Sequence, residues 1–304
     1  MPRIALATYD PGTEPGKDAD LPVLVRALRE AGAEAEARHW DDPGADWGGY
    51  DLVLIRSTWD YSWRAAEFGA WVDRVGAVTR LANPAAVVRW NTDKRYLGEL
   101  AAAGVPTVPT RYLAPGAGDP VGLPAGHEYV IKPTSGAGAR FAARYTPAEH
   151  ETAVRQLARM HAEGFTAMVQ SYMPGIDVTG ERALQYFGGR LLHASRKGAV
   201  LAPGTPYDAD KTAHPDLEPW QPTDAELAVA EQALAAVPGG AVPGGAVPGG
   251  SAGLLYARVD LVDGEDGEPR LMELELVEPN LFLFLHPASL PRVTAEILAA
   301  ASGV

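Results

Sequence analysis

Residues 256–275 read YARVDLVDGEDGEPRLMELE. A run ending in Asp260, a turn signal at Asp263-Gly264 and a second run carrying Glu273 and Glu275 predict an antiparallel hairpin. Side chains alternate along a strand, so Glu273 and Glu275 share a face, and the partner strand brings Asp260 alongside them. Three carboxylates are thereby expected to converge. Hard oxygen donors suit magnesium, which bridges a few carboxylates to phosphates and keeps several waters. A solvated acidic face is the plainer alternative, but Leu271, Leu274 and Leu276 do not give a clean two-face alternation with it.

Phosphate binding also needs fixed cations, and the chain as a whole supplies none in excess. Its 304 residues hold 26 Lys plus Arg against 39 Asp plus Glu, a net charge of −13. That field repels nucleic acid and anionic membranes, and it would repel ATP unless a site concentrates its few cations. Lys94, at the start of a predicted helix, and Lys132, at the end of a predicted strand, meet the requirement. Lys132 is followed by PTSGAGAR, where Ser135, Gly136, Ala137, Gly138 and Ala139 let backbone N–H groups approach phosphate oxygens and Arg140 adds charge. The run lacks P-loop spacing.

Without cysteine the chain has no disulfide, thiolate metal site or thiol nucleophile. The seven histidines show no zinc spacing, and only His193 and His214 draw attention. No Gly-x-Ser-x-Gly elbow appears. The apolar run at the N-terminus is short for a signal peptide and no run reaches membrane-spanning length, so a cytoplasmic protein is expected.

Along the chain, residues 4–8, 34–40 and 51–57 read as strands and 21–31 and 65–75 as helices, an alternation that predicts a small parallel sheet over 1–90. Asn91-Thr92-Asp93 reads as polar caps for a helix in KRYLGELAAAGV, opening a second unit over 91–170 with strands at 129–132, 140–145 and 167–172 and a helix at 147–163. A third unit, 171–304, begins with two β-prone runs around Gly188-Gly189, a hairpin signal. Residues 202–221 read as a long loop suited to a substrate lid, and 224–235 as a helix. The tandem AVPGG repeats of 236–250 read as a linker insertion.

Taken together, the lysine pair, the small-residue loop and the acidic hairpin resemble the ATP-grasp superfamily, which includes D-alanine:D-alanine ligase and glutathione synthetase. The resemblance implies an α/β (α+β) chain with an N-terminal parallel-sheet domain, a small central lid and a C-terminal antiparallel-sheet domain. It implies that ATP and Mg²⁺ are the cofactors and that Lys94 and Lys132 contact phosphate. VQSYMPGID, residues 169–177, resembles the adenine hinge, so the backbone of Ser171 and Met173 would meet the adenine edge and Asp177 the ribose; Gln170 departs from the usual Glu. Arg258, Asp260 and Glu273 fall on the family's arginine and two magnesium ligands, with Glu275 at a position that is often Asn. Glu278 and Asn280 offer an alternative pair.

RSTWDY (56–61), RWNTDKRY (89–96) and HASRKG (193–198) narrow the resemblance to the cycloserine-forming O-ureidoserine cyclo-ligase branch. Arg56, Ser57, Thr58 and Asp60 leave a strand end where α/β sheets place ligands, which makes them candidate substrate contacts; the alternative is that Trp59 and Tyr61 simply pack beneath a loop. Arg196 and Lys197 read as contacts to a substrate carboxylate or acyl phosphate, or else as an exposed basic turn. The expected partner is a small amino-acid-derived substrate, with a homodimer left open. Two other functions fit the same residues: a ligase joining two separate substrates, and a nucleotide-binding regulator without catalysis.

Overall fold

The computed structural model describes residues 1–12, 18–116, 123–136, 139, 141–209, 211, 215–238 and 253–303. Gly138 and its neighbours Ala137 and Arg140, His214 and repeat residues 239–250 lie outside them.

The N-terminal unit runs β1 (Arg3–Thr8), α1 (Asp20–Glu30), β2 (Glu34–His39), β3 (Leu52–Ser57), α2 (Ala65–Val78) and β4 (Leu81–Ala82). Its four strands form a parallel sheet in the order β2-β1-β3-β4. All six residues of β3 are buried, as befits a central parallel strand covered on both faces. One face packs on a cluster of Trp40, Trp47, Phe68 and Trp71. Asp60 belongs to this cluster: it accepts from Trp40 Nε1 at 2.8 Å and from Arg64 at 2.8 Å.

Two short helices follow, α3 (Ala85–Asn91) and α4 (Tyr96–Ala102). The helix expected from Lys94 onward starts only at Tyr96, and Asn91 ends α3 rather than capping α4. A four-stranded antiparallel sheet comes next, in the order β5-β8-β6-β7, built from β5 (Thr110–Leu113), β6 (Tyr129–Pro133), β7 (Ala143–Tyr145) and β8 (Ala167–Ser171). Helix α5 (His150–Ala162) covers it with Ala153, Leu157 and Met160.

After the short α6 (Ile176–Thr179), the chain builds a five-stranded antiparallel sheet from β9 (Glu181–Phe187), β10 (Arg190–Lys197), β11 (Glu218–Trp220), β12 (Tyr256–Asp263) and β13 (Pro269–Glu275), in the order β11-β10-β9-β12-β13. Strand β11 lies within the stretch read as loop. The β9–β10 turn places Gly188 and Gly189 at φ +56° and +73°, the left-handed pair that a two-residue hairpin requires. Gly180 opens β9 at φ +73°, and a Cβ there would sit 2.4 Å from the carbonyl oxygen of Lys197. One face of the sheet, with Leu184, Ala194, Val259 and Leu274, packs on α7 (Asp224–Ala235) and on Tyr96, Leu97 and Leu100 of α4. The C-terminal helix α8 (Leu290–Ser302), which the sequence reading did not identify, packs on α1 and joins the N-terminal core.

Strand β13 would be an open edge, and bare edges must be covered or paired. Here buried side chains complete its backbone hydrogen bonds. Asn91 donates to Leu274 O at 2.8 Å and accepts from Leu276 N at 2.8 Å. Tyr96 OH donates to Leu274 O and accepts from Leu274 N, at 2.8 and 2.9 Å. Asn83, fully buried, donates to Leu276 O and Tyr256 O and accepts from Leu255 N. Asn83→Ala leaves three buried backbone groups without partners, at about 1–3 kcal/mol for each group not rescued by water. Urea denaturation is expected to show a loss of about 3 kcal/mol or more; a variant as stable as the parent would contradict this role.

Candidate active site

Register decides what the other face of the five-stranded sheet carries, because directly paired residues share a face. Ser195, Ala183, Asp260 and Glu273 form one row across β10, β9, β12 and β13, and His193, Gln185, Arg258 and Glu275 form the next. Lys197 pairs with Glu181 one step further. In these rows the face opposite the apolar core is mostly polar, and it turns apolar at the Phe187–Tyr256 pair.

Its centre is Asp260, which is 2% exposed. Arg258 grips it with Nε on Oδ1 and Nη2 on Oδ2, both at 2.8 Å, and also pairs with Glu275. Lys197 Nζ lies 2.8 Å from Asp260 Oδ2 and pairs with Glu181. Burial works against the Asp260 charge, but Arg258 and Lys197 hold its carboxyl well below the usual carboxylate range. Burial also works against the charge of Lys197, which the Asp260 and Glu181 carboxylates nonetheless raise.

A second centre is Glu273. Lys94 Nζ lies 3.1 Å from Oε1, and Lys132 Nζ lies 3.7 Å from Oε2. Two lysines far apart in sequence, one just before α4 and one on β6, therefore meet on a single β13 carboxylate. Lys94 also donates to Gly136 O at 2.7 Å, tying the small-residue loop to the site, while Ser135 donates to Thr92 O at 3.0 Å. Burial lowers the Lys132 ammonium, with Glu273 opposing and Lys94 adding to the effect. Lys94 is raised, because Glu273, Glu275 and Glu278 outweigh its burial.

The remaining acids have too few cations to share. Burial pushes Glu275 up to about 8, with Asp260, Glu273 and Glu278 adding to the effect and Arg258 opposing it. Burial likewise carries Glu278 to about 7 against the pull of Lys94, and Glu181 to about 7 against that of Lys197. Tyr61, buried and stacked on Phe68, is pushed well up by burial, with Glu278, Glu275 and Glu273 adding to the effect, so the N-terminal unit lies beside the acidic patch.

The other candidates are more dispersed. Arg56 is buried and donates to Pro279 O at 3.0 Å, with Asp18 3.7 Å away. Ser57 shares a 2.8 Å hydrogen bond with Thr8, and Thr58 Oγ1 is buried with no partner among the described residues. Asp60 is spent on Trp40 and Arg64, away from the acidic patch. Arg196 pairs with Glu218 of β11 at 2.6 Å. Neither Arg196 nor Lys197 forms an exposed turn, since both lie on β10. In the stretch read as the adenine hinge, Ser171 N is engaged by Pro109 O at 3.1 Å, and Gln170 is buried and donates to Thr110 at 3.3 Å. Met173 is buried, and its carbonyl accepts from Ile176 N at 3.0 Å. Asp177 is held by Arg144 and Tyr172.

The expected convergence of three carboxylates takes a different form. Among the described residues no group of three or more acidic or histidine side chains is placed to hold a metal ion. Asp260 faces its own two cations and Glu273 faces two lysines, so each acid is neutralised within the chain. Glu181 was missed by the sequence reading: it stands opposite Lys197 only because the β9–β10 register shifts between Leu191 and His193, which no sequence signal marks. Among the described residues no helix is long and apolar enough to cross a membrane.

Comparison with known proteins agrees with this architecture. Residues 4–83 match the family described as D-cycloserine synthetase DcsG, N-terminal domain. Over 277 residues the chain is 41% identical to the cycloserine biosynthesis protein DcsG of Streptomyces lavendulae, covering 88% of each. A crystal structure of D-cycloserine synthetase DcsG superposes with a TM-score of 0.84 at 36% identity, over 98% of this chain and 99% of that one. D-alanine–D-alanine ligase from Bacillus anthracis shares the fold, with a TM-score of 0.68 at 15% identity over 100% and 97% of the two chains. The chain thus has the fold of the ATP-grasp ligases. Within that class the chain belongs to the DcsG family.

The raised acids make the empty enzyme sensitive to pH. A carboxyl whose folded pKa lies above its unfolded value favours the folded state while protonated, and this contribution is lost as pH rises through the folded pKa. For Glu278, Glu181 and Glu275 the loss falls between about pH 5 and 8. Melting temperature without nucleotide is expected to fall from pH 6 to 8.5, and Glu275→Gln to flatten the slope. A flat parent profile, or a slope untouched by the substitution, would contradict this.

Proposed function

We propose that the chain uses magnesium-ATP to activate the carboxylate of a small amino acid resembling O-ureidoserine and closes a cycloserine-like ring. The meeting of Lys94 and Lys132 on Glu273 carries this reading, because it collects scarce cations at one buried point on the polar face of the sheet. The similarity to a cycloserine biosynthesis protein supports the choice of ring closure.

In this reading the substrate carboxylate takes the γ-phosphoryl group of ATP and ADP leaves. A nitrogen of the same molecule then attacks the acyl carbon and gives up a proton, and the phosphate departs. Lys94, Lys132 and Arg258 neutralise the phosphoryl group, so that positioning and electrostatics supply most of the acceleration. Lys197, deep beside Asp260, would serve the substrate or its acyl phosphate, with Arg56 holding the segment at Pro279 against the site; Arg196, adjacent on β10, falls on the opposite face of the sheet with Ala194 and pairs with Glu218, so it takes no part. Gln170, Ser171 and Met173 would flank the adenine, Asp177 the ribose, and Ser135 and Gly136 the phosphates.

Asp260, Glu273 and Glu275 would hold magnesium. They fit in kind: all three are oxygen donors, and burial beside Asp260 and Glu273 raises Glu275 to about 8 against the pull of Arg258, as a site short of positive charge would. Magnesium held there would supply positive charge beside the transferred phosphoryl group. Glu278, beside Lys94 and Glu273, remains the alternative donor.

ADP release from magnesium-ATP is expected to be stimulated by an O-ureidoserine-like compound and to be abolished in Lys132→Ala and Glu273→Ala. Product mass separates the two ligase readings, since ring closure adds no second amine and two-substrate ligation does. ATP binding without stimulation by any amino acid or ureido derivative would favour the regulator, and absence of ATP binding would refute the proposal.

A further inference from the structure

The part of the proposed nucleotide site around Asp177 already has an occupant. Arg144, on β7 just beyond the small-residue loop, sets Nη1 across both oxygens of Asp177, 3.1 Å from Oδ1 and 2.9 Å from Oδ2. Tyr172 OH donates to the same Oδ1 at 2.6 Å. Both carboxylate oxygens are therefore engaged, although the Asp177 side chain is 42% exposed.

Arg144 does not depend on this contact. Its Nε donates to Glu128 Oε2 at 2.8 Å and its Nη2 reaches the same oxygen, while the guanidinium lies 3.5 Å from the centroid of the Tyr172 ring. Withdrawing Nη1 from Asp177 would leave the cation paired with Glu128 and stacked on an aromatic face, so its charge would not be stranded. Asp177 has no comparable reserve. A diol approaching its exposed side needs the oxygens that Nη1 now spans.

We propose that Arg144 is a latch displaced by ribose: it holds Asp177 in the empty enzyme and yields it to the ribose hydroxyls of the incoming nucleotide. The proposal rests on the reading of Asp177 as the ribose contact. Arg144 thereby sets nucleotide affinity as a competitor, in the way that a binding-competent state populated only in part weakens apparent affinity by that fraction. Its effect is confined to nucleotides that carry the diol.

The test is calorimetric binding of magnesium-ATP and magnesium-2′,3′-dideoxy-ATP to the parent, Arg144→Met, Glu128→Gln and Asp177→Asn, with thermal melts to confirm folding. Removing the competitor in Arg144→Met is expected to tighten ATP by about three- to tenfold and leave dideoxy-ATP unchanged. Glu128→Gln removes the alternative partner, drives Arg144 onto Asp177, and is expected to weaken ATP alone; it carries the test by itself if Arg144→Met does not fold. Equal weakening of both nucleotides in Arg144→Met, no change in ATP, or tighter ATP in Glu128→Gln overturns the latch. If the parent distinguishes ATP from the dideoxy form and Asp177→Asn removes the distinction, the ribose reading stands whatever Arg144 does. If the parent does not distinguish them, that reading fails and the latch fails with it.

Discussion

Asp260 is a carboxylate taken almost entirely out of water, and it stays ionised because Arg258 and Lys197 hold it from two sides. Removing one member of such a buried pair typically destabilises by about 3–5 kcal/mol, since the remaining charge is left uncompensated. The sheet must therefore deliver all three groups in register, and the rest of the fold serves that constraint. Lys197 comes from β10 through the tight Gly188-Gly189 turn, Arg258 and Asp260 from β12, and Glu273 and Glu275 from β13. The last strand keeps its place because Asn83, Asn91 and Tyr96 complete its outer edge. Stability of the edge and geometry of the site are one problem.

The same economy governs the electrostatics. A chain of net charge −13 keeps its few buried cations by pairing them with acids on the sheet. Lys94 and Lys132 sit on Glu273, and Arg258 and Lys197 on Asp260. An anionic ligand that draws the lysines away exposes Glu273, and a cation that takes Glu273 frees the lysines.

The strand framework was legible because its signals are local. A turn signal marked the 256–275 hairpin and the glycine pair marked β9–β10, whereas the pairing of Asp260 with Glu273 depends on a register shift between Asp260 and Leu261 that no local signal shows. What the reading lost was tertiary. Asn91 has the residue type of a helix cap, and nothing local reveals that its amide instead completes a strand edge. Asp60 sits in a motif that resembles a substrate contact, yet Trp40 and Arg64 claim its oxygens, and both lie outside the RSTWDY motif. Lys94 and Lys132 were singled out as a pair, but their shared partner required knowing that β6 and the α3–α4 junction face β13. Helix α8 went unread although its apolar residues Val293 and Ile297 are fully buried against the N-terminal core.

The central claim is that a magnesium-nucleotide takes over the charges that the empty site balances internally. A crystal structure with magnesium and a non-hydrolysable ATP analogue tests it most directly. The account predicts that Lys94 and Lys132 leave Glu273 for phosphate oxygens and that Glu273 turns to the metal. A bound analogue with both lysines still on Glu273, or with its phosphates away from the polar face of β12 and β13, would contradict it.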